Sequence, residues 1–445
     1  MNNVYKITIL TPTAITNGET IDSFEYWISG NFVYRLDLNE ILNYLIKKFP
    51  EAIDKISDWV DHKEEIINQN VNIARHNFQL NIFDFIHKYL KKPEINQWLK
   101  QEIIKNNFIK YKIPSYLNQN YSKQISTHIK TPSNQVYIPG STIKGIIRTS
   151  LLNDYLYSIF DSNDNDKIND LKKNLSLISK KEKNDKNNNK LTQSFIYDFF
   201  KFRSGDYDAK NDIMKFIRVS DTNSLDPTDA CEVVHPVILT RKGREQQGQL
   251  NALELLKPGT MFEFTIDIDI DFLRNTINAK NTDSKLKEHD KVYLENSLKL
   301  FNLTSNEIEK NPNSLLIKKV YKTIEDSLYN YSIFISEKND DFIKNNKQIK
   351  EPHYDENDVL AQIGWGTGYH TKTVLFNFLN KYWKEDKSLK EIYKKIFQTN
   401  NIIRKSKNNT QNTEINLDDF PTSRRLIKIN NFYQQLGWVK IERIQ

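Results

Sequence analysis

One cysteine, Cys231, stands in a chain of 445 residues. It excludes an intramolecular disulfide and any cysteine-based zinc cluster. The eight histidines, at 62, 76, 87, 128, 235, 289, 353 and 370, include no H-x-x-x-H pair, so they offer no alternative zinc spacing. No G-x-S-x-G marks a hydrolase, and no Gly-Lys-Ser/Thr marks a phosphate-binding P-loop. No apolar run approaches the roughly 18 residues that a membrane span needs. The opening MNNVYKITIL lacks the basic start and apolar stretch of a signal peptide. A cytoplasmic protein without metal or cofactor is the expectation. Net positive charge is also modest: 64 Lys and Arg against 57 Asp and Glu leave +7. That excess allows a local basic track for a polyanion, or a protein that is merely lysine-rich, but not a surface coated in cations.

The length exceeds one ordinary domain and fits two or three. Lys6–Leu10 and Phe32–Leu36 read as strands, the first ended by the Thr11-Pro12 turn. From Asn39 to Lys105 the period becomes helical, with Leu42, Leu45, Ile46 and Phe49 and then Ile82, Phe83, Ile86 and Leu90 at helical spacing. This stretch is expected to be a helical insertion. Tyr137-Ile138 ends a short strand, Pro139-Gly140 turns, and a helix runs from Ser141 to about Phe160. Asp161–Lys190 is Asn-, Asp- and Lys-rich and reads as a mobile loop. Strands resume at Phe216–Ser220 and Cys231–Leu239. Met261–Ile270 alternates Phe262, Phe264, Ile266 and Ile268 with Glu263, Thr265 and Asp267. Helices are expected over Val292–Leu300 and Leu315–Leu328, and a polar loop over Ser336–Pro352. A helix carrying Val374 and Phe378 follows the glycine-rich loop, and strands Leu426–Ile429 and Trp438–Ile441 close the chain. Interleaved helices and alternating strands predict an α+β fold with antiparallel sheets.

Two segments could carry chemistry. In YIPGSTIKGIIRTSLL, Tyr137–Leu152, Gly140 makes a turn and Ser141 is a good N-cap for a helix whose first amides are free. Lys144 and Arg148 lie four apart on one helix face. Free amides with two aligned cations can cradle a phosphate; an ordinary capped helix with a solvated basic face fits the residues as well. In IGWGTGYHTKTV, Ile363–Val374, Gly364, Gly366 and Gly368 let a backbone approach closely. Trp365 and Tyr369 offer rings for stacking and Lys372 a charge. The competing reading is a tight structural loop with Trp365 in the core. Arg241, Lys242 and Arg244, and Arg424 with Arg425, form smaller basic turns.

With these motifs in hand, the sequence resembles the RAMP superfamily of CRISPR systems, and within it the fifth Csm subunits of type III-A effectors. The likeness rests on KITILTPTAITNGE, IPGSTIKGIIR, IGWGTGYHTKT and FPTSRRL…LGWVKIE, in that order. It implies two RRM-like (ferredoxin-like) domains, taken as 1–215 and 216–445. The insertion at about 39–105 and the loop 161–190 fall in the first and match no pattern of the family, and the loop 364–368 falls in the second. It also implies a non-catalytic subunit that binds CRISPR RNA (crRNA) and caps its 3′ side. Neighbouring Csm backbone subunits, target RNA and recruited host nucleases are the implied partners. The implied RNA contacts fall on Gly140, Ser141, Lys144, Arg148, Gly364, Trp365, Gly366, Gly368, Lys372 and Arg424. The alternative is a metal-independent RAMP endoribonuclease, using a His base or Asp22 against a 2′-hydroxyl. Asp22 lies where filament-forming members keep a cleavage aspartate, although the text TNGETIDSFEYW does not match theirs.

Overall fold

The computed structural model describes residues 3–58, 81–162, 166, 168–169, 172–173, 196–203, 208–246, 250–282, 288–343, 346, 348–368 and 423–444. They form an α+β fold. A five-stranded sheet lies at its centre, in the order β14 (Val359–Gln362), β17 (Trp438–Arg443), β1 (Val4–Ile9), β12 (Met261–Ile268), β7 (Ile217–Val219). Every neighbouring pair in it is antiparallel. The alternation in β12 sends Phe262, Phe264 and Ile266 inward and leaves Met261, Glu263 and Thr265 exposed. Ile7 sits opposite both Phe262 and Ile441, so the two ends of the chain meet around β1.

Helices cover the buried face. In α4 (Gly140–Asp161), Ile143, Ile147, Leu151 and Leu156 join the main core. In α9 (Asn313–Ile343), Leu316, Val320, Ile324 and Leu328 do the same, and the Tyr321 hydroxyl donates to the Ile266 carbonyl at 2.5 Å. The expected loop from Ser336 starts later because α9 continues to Ile343. Its last residues, Phe342 and Ile343, seat in an apolar cluster with Leu239, Leu426 and Tyr433.

A second five-stranded sheet runs β10 (Glu245–Gln246), β9 (Pro236–Thr240), β15 (Ser423–Ile429), β16 (Phe432–Gln434), β13 (Ile349–Lys350). A four-stranded sheet runs β2 (Thr20–Ile21), β6 (Ile125–Ser126), β11 (Ala252–Leu256), β8 (Cys231–Val234). The short pairs β6 with β11 and β13 with β16 are parallel; the others are antiparallel. The single strand expected over Cys231–Leu239 is thus two strands in two sheets. Pro236 has no N–H to continue a ladder, and the chain changes sheets at that bond.

The expected helical insertion contains α1 (Leu38–Lys48), α2 (Ile82–Lys88) and α3 (Pro93–Ile104). Asn81 starts α2: its side-chain oxygen accepts from the Phe83 and Asp84 amides, both at 3.0 Å. These helices enclose a core of their own, with Leu45, Phe85, Leu99 and Ile103 at its centre. It sits on a three-stranded sheet of β3 (Tyr26–Ser29), β4 (Phe32–Leu36) and β5 (Ile109–Pro114). Most of the loop expected over 161–190, and the helix expected around 374–379, lie outside the described residues.

Candidate nucleic-acid interface

The helix start at Gly140 is clamped to the segment after β7. A Cβ on Gly140 would fall 2.4 Å from the Val219 carbonyl oxygen and 2.6 Å from that of Ser220. Its amide donates to the Asp221 carboxylate at 2.7 Å, so a protein carboxylate already stands at the positive end of the helix. The Ile138 amide donates to the Thr222 hydroxyl at 2.9 Å. Ser141 is exposed.

Lys144 and Arg148 share a helix face, as their spacing predicts, and both reach inward. The Lys144 ammonium donates to the Ile217 carbonyl at 2.7 Å, and burial pushes its pKa down against the opposing pull of Asp212. The Arg148 guanidinium pairs with Asp212 and lies 3.8 Å over the Phe200 ring. Asp212 also accepts from the Met214 amide at 2.9 Å. The two cations therefore tie α4 to the segment 200–217.

The glycine-rich loop forms a joint between distant parts of the chain. Gly364 has φ +85°, and a Cβ there would come 2.1 Å from the Ala14 carbonyl oxygen. That same carbonyl accepts from the Trp365 amide at 2.7 Å. Gly366 has φ +80° and lies against Leu436. The Ile363 amide donates to Gly437 at 2.8 Å, and the Gly437 amide to Pro12 at 3.0 Å. Three of the four motif segments, around residues 11–15, 363–368 and 424–439, thus meet in one place.

Trp365 packs against an apolar cluster that includes Ala14, Val234, Leu253 and Leu436, and the Arg425 guanidinium lies 4.7 Å over its ring. The sequence pairs this arginine only with Arg424; its stacking partner lies 60 residues away and leaves no local signal. Gly368 is exposed, with open space where a Cβ would stand. Tyr369 and Lys372 lie outside the described residues. Arg424 lies 4.9 Å over Phe342, and burial, reinforced by Arg241, pushes its pKa down to about 10.

Two groups of the enzymatic alternative, Asp22 and one of the histidines, His128, are engaged as well. Asp22 accepts from Gln124 at 2.7 Å, and its amide donates to Glu25 at 2.9 Å. His128 is fully buried. Its Nδ1 accepts from the Ile15 amide at 3.2 Å, which leaves Nε2–H to donate to the Tyr137 carbonyl at 3.1 Å. Desolvation, aided by Lys130, pushes its pKa down to about 3. Beside it the buried Glu254 accepts from the His128 amide at 3.0 Å, from the Tyr111 hydroxyl at 2.8 Å and from Lys130. Among the described residues no group of three or more His, Cys, Asp or Glu could hold a metal. No described helix is long and apolar enough to cross a membrane.

Comparison with known proteins is decisive for the family. Residues 6–433 match the family model of the RAMP superfamily. The chain belongs to the RAMP superfamily. A curated relative, the "CRISPR system Cms protein Csm5" of Methanocaldococcus jannaschii, is 24% identical, covering 99% of this chain and 88% of the relative. A chain in a cryo-EM structure of a Csm–crRNA–target RNA ternary complex from a type III-A CRISPR-Cas system has the same fold. It superposes with a TM-score of 0.61 at 18% identity, covering 99% of this chain and 100% of that one. The crystal structure of T. onnurineus Csm5 superposes with a TM-score of 0.56 at 15% identity, covering 98% and 99%. The glycine-bearing segments that suggested a RAMP protein thus lie in a chain that is one, similar throughout to fifth Csm subunits.

Proposed function

We propose that the chain is a non-catalytic crRNA-binding subunit of a type III-A CRISPR effector complex, capping the 3′ side of the crRNA and supporting its maturation in antiviral defence. The observation that carries this reading is the end-to-end likeness to a chain of a Csm–crRNA–target RNA complex. Neighbouring Csm backbone subunits and target RNA are its partners, with host nucleases recruited to trim the crRNA. The reading keeps two RRM-like units divided near 215/216. Because β1 lies between β12 and β17, the units would share strands rather than sit side by side.

The ten residues implied in RNA contact take two roles in this reading. Gly140, Lys144, Arg148, Gly364, Trp365, Gly366 and Arg424 shape two backbone surfaces through contacts inside the protein. Ser141 and Gly368, both exposed, and Lys372 meet the sugar-phosphate chain. The test is to assemble the effector with and without this subunit and to sequence the RNA that co-purifies. Discrete crRNAs are expected with it, and altered crRNA 3′ ends without it. An identical crRNA set in both would overturn the capping role. Labelled precursor and target RNA incubated with the pure subunit should stay intact with or without Mg²⁺. Discrete cuts that vanish in Asp22→Ala would make it an endoribonuclease instead.

A further inference from the structure

The outer face of the three-stranded sheet carries side chains that the reading above does not use. Successive side chains in a strand point to opposite faces. Tyr26, Ile28, Val33 and Ile113 point into the main core. The opposite set places Trp27 across from Tyr34, and Tyr34 across from Lys112.

The rings form a row. Trp27 and Tyr34 stack with centroids 5.4 Å apart at 30°, and Phe32 continues the row 6.3 Å from Tyr34. At the Trp27 end the helical insertion closes over the face: Trp27 and Tyr34 pack against its core, and Phe83 meets Trp27 edge-on at 5.5 Å. The Phe32 end lies away from that contact. There the Lys112 ammonium stands 5.6 Å over the Phe32 ring, and Lys110, two residues along the same strand, is exposed.

On this face β3, β4 and β5 present aromatic rings and two lysines and no carboxylate. That chemistry suits a partner with flat π-faces and regularly spaced negative charge. Unpaired RNA has both. A basic partner would find no counter-charge, and an acidic protein would use the lysines but not the row of rings.

We propose that this face is a stacking platform for unpaired RNA bases, with Phe32, at the end of the row away from the insertion, meeting the bases and Lys110 and Lys112 the adjoining phosphates. It rests on the RNA-binding reading above and adds a surface to it. The experiment is a fluorescence-anisotropy titration of the full chain with a fluorescein-labelled oligouridine, repeated over a salt series.

Phe32→Ala should weaken binding about fivefold or more, the lower bound for loss of one stacked base. Phe32→Tyr, which keeps the ring, should bind as the unaltered chain does. Lys112→Gln should flatten the salt dependence of log K by about 0.7, the value for one phosphate contact on a single strand. Melting of each variant is measured alongside, since Phe32 is only half-buried and its loss should leave the fold intact. Phe32→Ala and Lys112→Gln chains that bind like the unaltered protein would sink the platform and leave the crRNA reading standing. An unaltered chain that binds no RNA, alone or in the assembled effector, would overturn both. If Phe32→Ala impairs assembly with the other subunits but not RNA affinity, the face is a protein interface and the proposal fails.

Discussion

At the scale of single residues, His128 ties the first strand's turn to the segment that leads into α4. Its two ring nitrogens are both committed, one accepting from Ile15 and one donating to Tyr137, and only the neutral ring can do both. The same bonds remove it as a general base. Its pKa falls from an ordinary 6.5 to about 3 on folding. Between those values the unfolded chain binds a proton that the folded chain refuses. This group's contribution is therefore fully present above pH 6.5 and is lost as pH falls toward 3, by up to about 1.4 kcal/mol per unit. Urea unfolding at pH 7 and pH 5 should give a lower stability at pH 5. In His128→Gln, stability at pH 7 should drop, but the difference between the two pH values should shrink. An equal difference in both proteins would show that His128 does not drive the acid sensitivity.

At the scale of elements, α4 depends on cations that the sequence displays as if for solvent. Arg148→Ala would take the guanidinium away from the Asp212 carboxylate, only 8% exposed, and uncover the Phe200 ring. Removing one member of such a pair costs about 3 kcal/mol. A comparable loss is expected for Arg148→Ala in chemical denaturation, with exchange rising first over 208–217. Lys144→Ala should be milder, because it loses one hydrogen bond to a carbonyl. In RNA titrations the folded Lys144→Ala chain should keep the salt slope of the unaltered protein. A slope lower by about 0.7 would mean that Lys144 touches a phosphate.

At the scale of the whole molecule, two large apolar cores stand out among the described residues, beside smaller clusters. The core of the helical insertion is centred on Phe85, which is fully buried, and the main core lies under the central sheet. Phe85→Ala should cost about 3–5 kcal/mol by leaving a cavity. Because the two clusters are separate, hydrogen exchange should quicken over 38–48 and 82–104 while 4–9, 261–268 and 438–443 keep their protection. Faster exchange in both regions together would mean that the insertion and the sheet unfold as one unit.

Hydrophobic period is a local property, and wherever it was strong the sequence determined the element. It set the alternation of β12, the strand Phe32–Leu36, the apolar face of α4 and the helices of the insertion. The glycines of the loop 364–368 likewise announced close backbone approach, which the Ala14 carbonyl realises. Partners were another matter. Nothing near Lys144 or Arg148 names Ile217 or Asp212, which are more than 60 residues away, and nothing near Trp365 names Arg425. The change of sheet at Pro236 was hidden in a run of strand composition, CEVVHPVIL, because composition reports burial but not which sheet does the burying. Only the tertiary structure decided whether a cation or a ring faces solvent, since pairing across the chain sets what stands on its other side.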